Sequence, residues 1–368
     1  MIIGIPKETL KGETRVAMTP EWTRILTEDG HKVLIETTAG DFSGYSDQDY
    51  IDAGAEIVPD ITTVYDRSDF VAKVKELQVP EYTMMHEGQI VMTWYHLAEE
   101  AVPPMLQALL DSKVTALSME LFVTPDGKRP TMVPMSGITG ALAIYEAIKY
   151  SDPKLGGNGI MLRKVAGQKT PKILIVGGGT AGLHAAQVAI GVGLKVTIIE
   201  QYRPRIDYLE EAVPEAEVLM FSKHVLQEEM KDCDVVINCT YIMPGHHDYL
   251  ITREMVRGMK KTAMVIDLSG GGVVETTTKY SSLDDPIYFE EGIMQYSVMN
   301  MPSLVPHTAS NALLQITGPI IQAIANKGLI QAAKDDDMIR KGISTYNGKL
   351  VHEEIAMTSD MDWEELDF

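Results

Sequence analysis

The sequence is poor in thiols, in basic residues and in long apolar runs. Two cysteines occur in 368 residues, Cys233 and Cys239, both in one short segment. That is too few for a disulfide framework or a cysteine-rich zinc site. The pair reads as two reduced, buried small residues, and no metal site is expected. Lysine and arginine together number 32 against 52 acidic side chains, a formal charge of −20. Nucleic acid and anionic membrane surfaces are poor partners for such a chain. No apolar run approaches the roughly 18 residues of a membrane span. The opening MIIGIPKETLKGETR lacks the charged-then-apolar order of a secretory leader, so a cytoplasmic location is expected. No internal repeat is visible. What is present is apolar material, 45% of residues, in a chain long enough that two domains are expected.

Residues 172–200, KILIVGGGTAGLHAAQVAIGVGLKVTIIE, are the most informative stretch. An apolar run at 173–176 leads into Gly177-x-Gly179-x-x-Gly182, then a small-residue helix that opens with Thr180 and Ala181. A second apolar run at 196–199 closes on Glu200. Gly177 permits a tight turn off the strand, Gly179 lets backbone approach a pyrophosphate, and Gly182 lets helix and strand pack closely. The helix N-terminus offers unpaired N–H groups to the phosphates. Glu200 is placed to accept from a ribose 2′-hydroxyl and to repel a 2′-phosphate, which favours NAD over NADP. Arg203 and Arg205 come close behind and keep a 2′-phosphate in play.

The flanking sequence alternates strand and helix signals. Strands are expected at 2–5, 32–36, 55–58, 70–74, 90–95 and 114–118. Helices are expected at 47–53 and 103–111, and a further helix is capped by Thr19 with Pro20 and Glu21 in its first turn. Residues 134–149 read as a small-residue helix, and 151–170 as a connection rich in glycine, proline and lysine. A second set of strands is expected at 173–176, 196–199, 218–220, 235–238 and 263–267. The apolar helix 311–327 is expected to return to the first domain. The predicted fold is α/β, with two Rossmann-like, doubly wound parallel-sheet domains separated by a cleft. Residues 1–133 with 306–368 form a discontinuous substrate domain, and 134–305 the nucleotide-binding domain.

Ligands of open parallel sheets bind at the carboxyl ends of the strands. Three polar residues stand after strands of the first domain there: Arg15, Lys75 and His96. A guanidinium can hold a carboxylate through two parallel hydrogen bonds. An amine can polarise a carbonyl or imine, and an imidazole can act as general acid or base. Each also has an ordinary reading: Lys75 as a solvated strand end, His96 as a half-buried loop residue beside Trp94 and Tyr95, and Arg15 as a partner for Glu8 or Glu13. Their common edge is what joins them. In YSVMNMPSLVPH at 296–307, Asn300 and Met301 border the second crossover between domains, and Ser136 borders the first. Asn300 is a candidate for orienting substrate or the nicotinamide amide, or a turn residue before Pro302. Ser136 is a candidate for contacting the cofactor.

Together these residues resemble the alanine dehydrogenase family, which is related to the soluble nucleotide-binding part of proton-translocating transhydrogenase. The opening GIPKE…E-x-R-V-A-x-T-P with Arg15, the VKE at 74–76, the HLA at 96–98, the PMS at 134–136, the NMP at 300–302 and the AIANKG at 323–328 occur in the family's order. The resemblance covers essentially the whole chain. It implies that Arg15 binds the substrate carboxylate and that Lys75 and His96 contact the keto or amino group, with His96 as the acid/base. It also implies a homohexamer acting on a small-molecule substrate. The expected reaction is NAD-dependent deamination of an L-amino acid, best L-alanine to pyruvate and ammonia, and its reverse. One segment departs from the pattern. Where the family usually has V-D-V-A-x-D-Q-G-G, this chain has VIDLSGGG at 265–272. The first aspartate survives as Asp267, next to the cofactor or structural in role; the second is absent and the loop is shorter. A secondary-amine-forming reductase of saccharopine or opine type would vary this loop, and a non-catalytic NAD-binding relative is the third reading.

Overall fold

The computed structural model describes residues 1–97, 103–240, 249–269 and 271–368. Ala98 of the HLA stretch and Gly270 of the 265–272 segment lie outside the described residues. The chain divides into two compact units, Met1–Met135 with Ser303–Phe368, and Ser136–Pro302. The first seam falls inside one helix, Met132–Lys149.

The first unit is an eight-stranded sheet. In chain order its strands are β1 (Ile2–Ile5), β2 (Lys32–Glu36), β3 (Glu56–Val58), β4 (Phe70–Ala72), β5 (Ile90–Thr93), β6 (Thr115–Ser118), and two strands from the chain's end, Ile343–Tyr346 and Lys349–Leu350. The order across the sheet puts β6, β5, β4, β1, β2 and β3 side by side, all parallel, with the late hairpin beyond β6. Strands β4, β5 and β6 are buried at every position, because helices cover both faces of a parallel sheet and leave no room for alternation. Thr19 caps the helix Pro20–Glu28 by accepting from the Trp22 N–H, and Pro20 sits where no intrahelical N–H is needed. The helix Pro306–Lys327 packs on this unit: Ser310 accepts from the Val16 N–H at 3.0 Å, and Gly318 lies so close to Trp22 that a Cβ there would collide with the indole.

The second unit is a seven-stranded sheet. Its strands are β7 (Lys172–Val176), β8 (Lys195–Glu200), β9 (Glu217–Met220), β10 (Val235–Asn238), β11 (Met264–Asp267), β12 (Ile287–Glu290) and β13 (Ile293–Tyr296), in the order β12-β13-β11-β10-β7-β8-β9. Order reverses between β7 and β10, the switch point at which open α/β sheets bind ligands. Both sheets are parallel-dominant α/β layers, but their rims depart from the all-parallel prediction. The strand Ile343–Tyr346 runs antiparallel to β6 and to Lys349–Leu350, and β12 runs antiparallel to β13. Both hairpins turn on short segments with left-handed residues, Asn347 and Gly348 in one, Glu291 and Gly292 in the other. An antiparallel rim closes a sheet without a crossover helix. Strands β4 and β5 end two residues earlier than predicted, where the N–H groups of Val74 and Tyr95 turn to the carboxylates of Glu8 and Glu120.

Cys233 is buried and Cys239 half-buried, and both are free. Burial pushes each thiol up to about 12. Among the described residues, no helix is long and apolar enough to cross a membrane.

Candidate active site and nucleotide site

In the first unit the chain leaves four neighbouring strands at one edge. After β4 come Lys73, Val74 and Lys75; after β5 come Trp94, Tyr95 and His96. The two segments stay zipped beyond the ladder. The Trp94 N–H donates to the Val74 carbonyl at 3.3 Å, and the Thr93 hydroxyl to the Lys75 carbonyl at 2.7 Å. That brings Lys75 Nζ to 3.2 Å from His96 Nε2. An ammonium has no acceptor, so Lys75 as a cation donates here and His96 Nε2 accepts through its lone pair. His96 has a left-handed backbone, φ 58°, uncommon outside glycine. Its N–H donates to Glu120 Oε1 at 2.7 Å and the Tyr95 N–H to Glu120 Oε2 at 3.3 Å. Glu120 comes from the turn directly after β6 and is buried. Its carboxylate holds the histidine segment in this conformation.

Glu8, from the segment after β1, does the same for lysine. Its carboxylate accepts from the Val74 N–H at 2.6 Å and the Lys75 N–H at 3.4 Å. Burial pushes its carboxyl up to about 7, against the pull of the Lys73 ammonium. Lys73 is fully buried and bonded to both oxygens of Glu81 at 2.7 and 2.6 Å, and Glu81 also accepts from Thr9 and Tyr65. Arg15 is 3% exposed, and Glu13, not Glu8, is its partner. Its Nε and Nη2 donate to Glu13 Oε1 and Oε2 at 2.8 and 2.6 Å, while Nη1 lies 3.3 Å from the Met135 sulfur. The guanidinium stands 5.7 Å from the centre of the Trp94 ring. Thus Arg15, Lys75 and His96 lie at one edge of one sheet, linked through the Trp94–His96 segment.

The second unit's site begins at the glycine turn. Gly177 has φ 95°, a conformation strained for any residue with a side chain. A Cβ on Gly182 would collide with the Gly177 carbonyl oxygen, whereas one on Gly179 would meet nothing within 4 Å. Thr180 and Ala181 open the helix Thr180–Gly191, with Gly179 as N-cap. Gly140, in the helix that carries Ser136, lies directly against the Ala181 carbonyl. At the end of β8, Glu200 accepts from the N–H groups of Gly178, Gln201 and Tyr202 at 2.9, 2.7 and 2.9 Å. Arg205 donates to the Gly178 and Gly179 carbonyls at 2.6 and 3.2 Å, and Arg203 pairs with Asp207.

A cavity of about 340 Å³ opens over the turn, lined by Gly177, Gly179, Glu200, Phe221, Thr240 and Leu250 among others. Its glycine floor, carboxylate corner and apolar wall suit the adenosine and pyrophosphate of a dinucleotide. The open space at the Gly179 Cβ position is the feature that fits the cofactor: a phosphate can approach where no side chain stands. Of the candidate cofactor residues, Gly177, Gly179 and Glu200 line this cavity; Ser136, Thr180, Ala181, Gly182, Arg205, Asp267, Asn300 and Met301 do not. Asp267 ends β11, is 2% exposed, and accepts from Asn238 and twice from Ser269. Asn238 in turn accepts from the Thr240 N–H and hydroxyl. This pair ties the loops after β10 and β11 together and sets Thr240 into the cavity wall. Asn300 has φ 44°, and Met301 is buried at the start of the turn Met301–Leu304.

Sequence reasoning missed the carboxylates Glu81 and Glu120 and the cavity residues Phe221, Thr240 and Leu250, and it saw Glu13 only as an ordinary ion-pair partner. No spacing marks them. The one available signal was an acidic residue directly after a buried strand, as Glu120 is after β6.

Similarity to known proteins spans both units. Residues 4–139 match the model of the alanine dehydrogenase/PNT N-terminal domain, and residues 143–353 that of the C-terminal domain. The chain is 38% identical over 360 residues to an alanine dehydrogenase of Bacillus subtilis, covering 97% of this chain and 94% of that one. It is 36% identical over 364 residues to one of Methanococcus maripaludis, covering 98% and 97%. A solved L-alanine dehydrogenase superposes with a TM-score of 0.92 at 34% identity, covering 97% of this chain and 99% of the other.

Proposed function

The chain belongs to the alanine dehydrogenase/PNT family, and from that premise we propose that it interconverts L-alanine and pyruvate plus ammonia with NAD. The observation that carries the reading is the 3.2 Å approach of Lys75 Nζ to His96 Nε2 at the strand edge that also holds Arg15. Nicotinamide dinucleotide, when bound, takes the hydride from the substrate α-carbon and returns it in the reverse direction. Arg15 holds the substrate carboxylate by charge and hydrogen bonding. Lys75 donates to the nitrogen or oxygen on the α-carbon and stabilises charge that develops there. After oxidation the imine of the substrate is attacked by water, and His96 takes the proton of that water as general base. The same proton returns to the departing amine. The direct Lys75–His96 contact lets the two groups share protons between these steps.

NAD is the preferred cofactor in this reading. A 2′-phosphate would meet the Glu200 carboxylate, while the arginines nearest it already donate to Gly178, Gly179 and Asp207. Gly177, Gly179 and Glu200 hold the adenosine and phosphates, Thr180 and Ala181 offer the helix N-terminus and Gly182 packs helix against turn; Ser136, Asn300 and Met301 serve the nicotinamide half, with Asn300 also on the substrate, while Asp267 braces the neighbouring loops. Residues 1–133 with 306–368 act on substrate and 134–305 on cofactor. A cytoplasmic homohexamer belongs to the same reading.

A second reading is favoured by one observation: Asp267 is turned inward onto Asn238 and Ser269 in a segment that departs from the family pattern. A reductase that forms secondary amines would need a different loop there. An NADH-oxidation panel separates the two, pairing pyruvate and larger oxo acids with ammonia and with larger amines. The expected result is the highest kcat/KM with pyruvate and ammonia. A preference for an amino acid as the amine donor would replace deamination by secondary-amine formation, and no oxidation with any pair would overturn both.

A further inference from the structure

Trp94 is a buried donor without an acceptor. The residue is 4% exposed, and the Arg15 guanidinium stands over its ring. Its backbone is tied to Val74, one residue before Lys75. Yet Nε1 has no hydrogen-bond partner among the described residues. An indole N–H can only donate, and leaving it unpaired inside a protein is unfavourable. Phenylalanine would give Arg15 an aromatic face without that penalty. The charged groups around it are unsuited to the task. Arg15 and Lys75 as cations have no acceptor atoms. Glu13 accepts from Arg15, Glu120 from the N–H groups of Tyr95 and His96, and neither accepts from Nε1. A ligand can supply the acceptor, and a carboxylate offers several lone pairs.

We infer that the Trp94 indole N–H is a substrate-binding donor that, with Arg15, grips the carboxylate of the amino or oxo acid. The inference rests on the dehydrogenase reading and adds to it a source of selectivity. One charged and one neutral donor address the same group: the charge selects a carboxylate over an ester or amide, and the indole fixes its orientation.

The test is Trp94→Phe in the full-length protein, with pyruvate as the probe and NADH saturating. The KM and dissociation constant for pyruvate are expected to rise about tenfold, the worth of a hydrogen bond to a charged group, while kcat and NADH affinity change less than about twofold. A second measurement does not depend on the variant's turnover. The chain has three tryptophans, and with indole nitrogen labelled as 15N the resonance missing from Trp94→Phe should shift when pyruvate joins the NADH complex, while those of Trp22 and Trp363 stay. Wild-type-like pyruvate binding by Trp94→Phe, or an unmoved Trp94 resonance in a protein that binds pyruvate, removes the indole from the site. A wild-type protein that binds no pyruvate with NADH present defeats the dehydrogenase reading and this inference together, so the two failures are told apart.

Discussion

At the carboxyl edge of the first sheet the working surface is made of charged side chains; at that of the second it is made of backbone. At the first sheet's edge buried carboxylates serve the cations: Glu13 grips Arg15, Glu81 grips Lys73, and Glu8 fixes the backbone of Lys75. Glu120 does the same for His96. Charges taken out of water must be paired or they neutralise, so the candidate lysine and histidine come with a scaffold of acids. In the second unit the turn from Gly177 to Gly182 leaves open space and N–H groups, and a single carboxylate, Glu200, braces the turn through Gly178. Side chains there are few, as a phosphate lying close to the main chain would require.

The comparison can be broken most sharply at the reactive pair. Lys75→Ala and His96→Asn are expected to lower kcat by about 10²–10⁴-fold, with NADH affinity measured by fluorescence unchanged. Loss of NADH binding in either would mean that the charged edge also carries cofactor. Asparagine is chosen at 96 because it tolerates the left-handed backbone that alanine would strain.

The next contrast lies within the glycine turn. Gly182→Ala drives a methyl into the Gly177 carbonyl and is expected to cost about 1–3 kcal/mol of stability as overpacking, seen as a lowered Tm. Gly179→Ala has open space around its Cβ, so its Tm should match the wild type while NADH affinity falls at least tenfold. Equal NADH affinity in Gly179→Ala would place the pyrophosphate elsewhere.

The last effect is a slope with pH, not a loss at any one pH. The Glu8 carboxyl titrates near 7 in the folded protein against about 4.5 when exposed. The folded state therefore holds this proton longer than the unfolded state, and its stability declines as pH rises from about 4.5 through 7. Glu8→Gln removes that contribution. Across that window the wild type should lose up to about 3 kcal/mol relative to the variant, read as the pH dependence of the difference in Tm. Parallel curves would show that Glu8 stays ionised throughout.

Legibility in the sequence obeys the same division between backbone and side chain. The glycine turn could be read because backbone geometry admits only glycine at Gly177 and Gly182, and so writes itself at fixed spacing. Strands β1, β2 and β10 were legible to the residue, since continuous apolar runs have sharp ends. The antiparallel rims were not, because two-residue turns such as Asn347–Gly348 sit between strands too short for a pattern. Arg15, Lys75 and His96 were legible because polar residues just past apolar strands are few and stand out. Their carboxylate partners were not, since an acid that folds inward looks in sequence like one that faces water. The Glu13–Arg15 pair shows the limit: it was visible as an ordinary ion pair, and in the fold it is both that and the support of a candidate substrate group.

The two cysteines carry a practical consequence. Burial holds both sulfurs in the thiol form, and a thiol is a far weaker nucleophile than a thiolate. Maleimide chemistry thus meets a nearly silent background, and a single engineered surface thiol on either unit can take a fluorophore without first stripping the native pair. Spectroscopic rulers placed this way would report the motion of each half of the chain during turnover in an otherwise unaltered enzyme.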